Sequence, residues 1–72
     1  MSESIKEAKL ATISSHIKSA KEDRYRAYVS LITERALSTQ YPEIIASLEE
    51  DIKKYSNQIV ALEAQYASIE SE

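Results

Sequence analysis

Seventy-two residues with no cysteine, no glycine and a single proline make one small domain, spanning 1–72, and exclude a disulfide framework, a thiolate metal site and a thiol nucleophile. The missing glycines also argue against β-hairpins, barrels and phosphate-cradling loops, so the chain reads as all-α. The net charge of −3 is unevenly divided: seven basic and five acidic residues up to Tyr41 leave +2, and two basic against seven acidic from Pro42 onward leave −5.

In chain order, Met1 to Glu3 are expected to fray. Ser4 followed by Glu7 matches a capping box, in which each side chain satisfies an orphan N–H at a helix start. Helix 1 is therefore expected over about 5–38. Its inward stripe reads Leu10, Ile13, Ile17, Ala20, Arg24, Tyr28, Leu31 and Arg35, with a polar waist at Lys21–Arg26. A second apolar stripe, Tyr25, Val29, Ile32 and Ala36, begins on a neighbouring face, and a helix with two apolar faces suits an assembly of more than two helices.

Ser38–Pro42 is the only break signal. Proline suits the first position of a helix and pushes the preceding residue out of the α region, which predicts a turn at 39–41 and helix 2 over about 42–70, with Ser71 and Glu72 frayed. Steps of three and four through that segment give Ile45, Leu48, Ile52, Tyr55, Ile59, Leu62, Tyr66 and Ile69 without a miss. This is a heptad seam, and it needs a helix to lie against.

The two helices match in length and their connection is short, which predicts a coiled-coil-like antiparallel hairpin. A turn centred near residue 40 places Leu31 by Leu48, Arg24 by Tyr55, Ala20 by Ile59 and Leu10 by Ile69. The same register brings Lys18 toward Glu63 and Lys9 toward Glu70. The competing arrangement is one long helix kinked at Pro42 and paired with a second chain. Two helices bury a modest core, so the hairpin is expected to dimerise, giving a four-helix bundle.

Candidate chemistry is sparse. Arg24, opposite Tyr55, is expected to pack its stem and stack its guanidinium on the ring. His16 has no companion at metal-ligand spacing, and the consecutive acids Glu49, Glu50 and Asp51 spread around the helix surface rather than converge on a cation. No serine has the setting of an activated nucleophile. The chain is thus read as a non-enzyme with no catalytic residue, no cofactor and no metal.

No apolar run approaches the roughly 20 residues of a membrane span, and residues 1–15 lack the apolar core of a signal peptide, so a soluble, cytoplasmic protein is expected. The functional reading is a self-associating interaction module, a regulator, adaptor or small chaperone. Its candidate oligomer or partner face is Tyr25, Val29, Ile32, Ala36, Ile44 and Val60, offered to a second copy and to a protein target. A second reading is an RNA- or DNA-binding regulator using Lys18, Lys21, Arg24 and Arg26. The predicted arrangement resembles the general hairpin-dimer architecture of which the Rop-like plasmid regulators are one example; the likeness is architectural and carries over no site residue.

Overall fold

A computed structural model describes the backbone of residues 2–72 and the side chains from residue 4 onward. It contains two helices packed against each other, α1 (Ser2–Arg35) and α2 (Pro42–Glu70). They form a rod of 59 × 14 × 11 Å with a radius of gyration of 16.6 Å. A compact domain of this length would have about 11 Å. The protein is therefore a single layer of two helices, and among the described residues no side chain is enclosed on every side.

The reversal is achieved without glycine and without any positive φ. The end of α1 tightens as the Leu37 N–H donates to the Glu34 carbonyl at 3.3 Å, and the Gln40 side-chain amide donates to the Arg35 carbonyl at 2.9 Å. These contacts satisfy carbonyls that a left-handed glycine cap would otherwise serve. Tyr41 is extended at φ −110°, as the residue before a proline must be, and its carbonyl accepts from the N–H groups of Ile44 and Ile45 at 3.1 Å. Proline then opens α2, where its missing N–H costs nothing.

The helix limits differ in detail from the sequence expectation. α1 begins at Ser2, so Ser4 lies inside it and the Ser4–Glu7 box does not mark its start; neither Ser2 nor Glu3 is a helix breaker. It stops at Arg35 rather than near residue 38. The far end of α2 is held: the Ser71 N–H and Oγ both donate to the Ala67 carbonyl, at 3.1 and 2.9 Å, and the Glu72 N–H donates to that of Ile69.

Packing follows α2's ridge. Ile59 and Ile69 are buried, and Ile45, Leu48, Ile52, Tyr55, Leu62 and Tyr66 are half-buried. On α1, Ala20 and Leu31 are buried, and Leu10, Ile13, Ile17, Arg24 and Ala27 are half-buried. Tyr28 does not belong to this seam, being 51% exposed, and Arg35 is exposed as well. The physical reason is helical phase. From Ala20, two successive steps of four overshoot the stripe by about 80°, whereas a four and a three return within about 20° of it. The inward slots are therefore Arg24, Ala27, Leu31 and Glu34. Tyr28 and Arg35 sit one position beyond them.

Ile59→Asp would place an unpaired charge at a site only 4% exposed, next to Val60 at 67%. The expected outcome is loss of the far-ultraviolet helical signal for Ile59→Asp and its retention for Val60→Asp, both read by circular dichroism.

Candidate interaction face

Side chain–side chain polar contacts between the helices run in order along the rod. Arg35 pairs with Glu49 at 3.4 Å near the turn, and the Arg24 guanidinium donates to Ser56 Oγ at 3.3 Å. Lys21 pairs with Glu63 at 4.0 Å and Lys9 with Glu72 at 3.9 Å. Falling numbers on α1 meet rising numbers on α2, as an antiparallel pair requires. Two expected flanking pairs are replaced, Lys18–Glu63 by Lys21–Glu63 and Lys9–Glu70 by Lys9–Glu72. By helical phase Lys18 lies about 140° around α1 from the middle of the seam and so turns away from α2, whereas Lys21 lies about 80° from it, on the shoulder that faces α2.

One cross-helix contact had no counterpart in the sequence reading. Lys6 Nζ donates to the main-chain oxygens of Glu70, at 2.8 Å, and Glu72, at 3.1 Å. A cation there satisfies carbonyls left without partners and meets the negative end of the helix dipole. The signal was available: Lys6 lies four residues before Leu10 and continues the seam by one slot.

Arg24 is also placed differently than expected. Its guanidinium reaches the Ser56 hydroxyl, and the cation over the Tyr55 ring is Lys54, 5.7 Å from the centroid. Of the other basic residues singled out as nucleic-acid contacts, Lys21 pairs with Glu63 and Arg26 with Asp23 one turn back, while Lys18 makes no ion pair among the described residues. The four do not converge into one cationic stripe. His16 is exposed, and its Nδ1–H donates to the Thr12 carbonyl at 2.9 Å.

The exposed apolar residues tell a more coherent story. Tyr25, Val29 and Ile32 lie on the side of α1 turned away from α2, Ala36 continues that line just past the helix end, and all four are exposed, Tyr25 by 67% and Ile32 by 52%. Tyr28 extends this surface on the shoulder nearest Lys21. Two shallow, open grooves on that shoulder meet at Lys21 and Tyr25. Comparison with protein-family models, with curated proteins and with solved structures finds no match.

Ile44 and Val60 are exposed too, but they do not complete the α1 face. Heptad spacing sets Ile44 on the flank of α2 that carries Gln58, Gln65 and Glu72, and Val60 beside the opposite flank, which carries Glu49, Ser56 and Glu63. The candidate face is thus a property of α1. That helix has apolar residues on two opposite sides and α2 on one.

Lys6→Ala removes the cap on α2 without touching the apolar seam. A cation at a helix end contributes about 0.3–1 kcal/mol, so the variant should melt roughly 2–6 °C lower with unchanged helicity in the cold, read by thermal denaturation.

Proposed function

We propose that the chain is a small interaction module without catalytic activity: a helical hairpin that associates with a second copy of itself through the outward face of α1, bringing four helices together side by side, and presents its remaining helical surface to a protein target. It would act as a regulator, adaptor or small chaperone in the cytoplasm. The observation that carries this reading is the distribution of apolar side chains. Among the described residues only Ala20, Leu31, Ile59 and Ile69 are buried, while Tyr25, Tyr28, Val29 and Ile32 gather in the open on one helix.

The exposed area supports the same reading. The chain exposes 5460 Å². A compact monomer of its 8.1 kDa would expose about 4,500 Å², so the excess is on the order of 1,000 Å². A standard protein interface covers roughly 800 Å² on each partner. The apolar side chains on the back of α1 are of the kind that such an interface covers, with tyrosine supplying broad apolar contact and a hydroxyl at the edge. Contiguous apolar patches of this kind are rare on proteins that act as monomers.

The test is mass as a function of concentration. Sedimentation equilibrium should show a monomer–dimer transition for the native chain. Val29→Asp should stay helical and remain at monomer mass, because the charge is solvated in the free hairpin and buried only in the dimer. A monomer for the native chain at every concentration would refute self-association.

A further inference from the structure

The outward face of α1, continued by Ala36 just past its last residue, is longer than its apolar patch. Steps of four and three starting at Ser4 give Ser4, Ala8, Ala11, Ser15, Lys18, Glu22, Tyr25, Val29, Ile32 and Ala36, and all ten are exposed. This is a second heptad seam on the side opposite the first, and no helix covers it. Its step pattern reads the same in both directions, so a second α1 running antiparallel meets it slot for slot.

Building on the self-association proposed above, we infer that the partner of this face is the same face of a second copy, antiparallel, with the two-fold axis level with Ala20. In that register Ser4 faces the second copy's Ala36, Ala8 faces Ile32, Ala11 faces Val29 and Ser15 faces Tyr25, while Lys18 faces Glu22. Every bulky side chain lies over a small one. The only two charges in the seam meet opposite charges, twice, across the axis.

Size and charge agree on this one alignment. Alignments that stack the bulky half on itself, with Val29 near its own copy, leave Ser4 to Ser15 bare and put Glu22 against apolar side chains. The full-length register covers the face along roughly 50 Å, the length of a 34-residue helix. Beside the axis Lys21 approaches its own copy, with its charge already paired to Glu63 within the protomer. The result places both copies of α1 at the centre of four helices and both copies of α2 outermost. Isologous contacts of this kind close at two chains.

The absence of native cysteine makes the register directly readable. Ala11→Cys and Val29→Cys, prepared separately, mixed in equal amounts and mildly oxidised, should form the mixed disulfide. Neither variant alone should form its own, since residues 11 and 29 lie about 27 Å from their own copies along the axis, far beyond disulfide reach. The products are separated by mass spectrometry. A Val29→Cys disulfide with itself would overturn this register and leave self-association standing; a native chain that stays monomeric by sedimentation would overturn both. As a second arm, Lys18→Glu or Glu22→Lys alone should weaken the dimer about tenfold by opposing like charges, and the double reversal should restore it. Single reversals that leave the dissociation constant unchanged would also overturn the register.

Discussion

Everything in this molecule depends on one helix lying along another with nothing else to cover either. In a domain of several layers a core residue is surrounded; in a two-helix rod it has one neighbour and an open side. That is why an unbroken ridge of eight apolar and aromatic residues on α2 yields only two buried ones, Ile59 and Ile69, and neither is wholly enclosed. Half-burial gives each side chain a fraction of the roughly 1.5–3 kcal/mol that complete burial of a large apolar residue contributes. A single seam therefore leaves a hairpin of this size with little reserve against conformational entropy.

Polar contacts add direction rather than strength to this seam. Exposed pairs such as Arg35–Glu49 and Lys21–Glu63 each contribute little, but they occur in order from the turn to the open end and oppose sliding. A shift by one heptad would break all of them while keeping much of the apolar contact. The opposite net charges of the two halves act at the same level. Lys6 works differently, because it closes the end of the rod farthest from the covalent turn, where fraying would otherwise begin.

The legibility of the fold was as uneven as its apolar pattern. The α2 ridge announces itself, since every slot holds a large side chain, and Pro42 marks where the chain reverses. α1 was harder to read because its inward slots include Ala27, a small side chain with a weak apolar signal, and Glu34, which gives none, while their neighbours Tyr28 and Arg35 are bulkier and drew the stripe off phase. Small residues are legible only through strict spacing. The same holds for contacts that depend on which shoulder of a helix a lysine occupies: Lys18 and Lys21 look equivalent in composition, and only phase separates the one that reaches Glu63 from the one that turns outward. Ile44 and Val60 were grouped with the α1 face by hydrophobicity, whereas helical geometry puts them on opposite flanks of α2. The outward patch of α1 itself was visible because Tyr25, Val29 and Ile32 keep helical spacing.

The weakness of α1's inward stripe and the strength of its outward one are a single feature. A helix of this length has a limited number of apolar side chains, and α1 divides them between two sides, keeping Ala20, Arg24 and Ala27 for the middle of the seam while spending Tyr25, Val29 and Ile32 on the back. Were the back apolar throughout, it would adhere to any greasy surface in any alignment. In the proposed dimer one charged layer at Lys18 and Glu22 would change that, because the full-length register pairs both charges, whereas a slip of one heptad either way sets them against uncharged side chains. Such a layer lowers affinity and raises discrimination. In the proposed dimer, folding and association would be coupled through the same helix: covering the back of α1 would hold its backbone helical, and a helix held straight is the surface on which α2's ridge must lie.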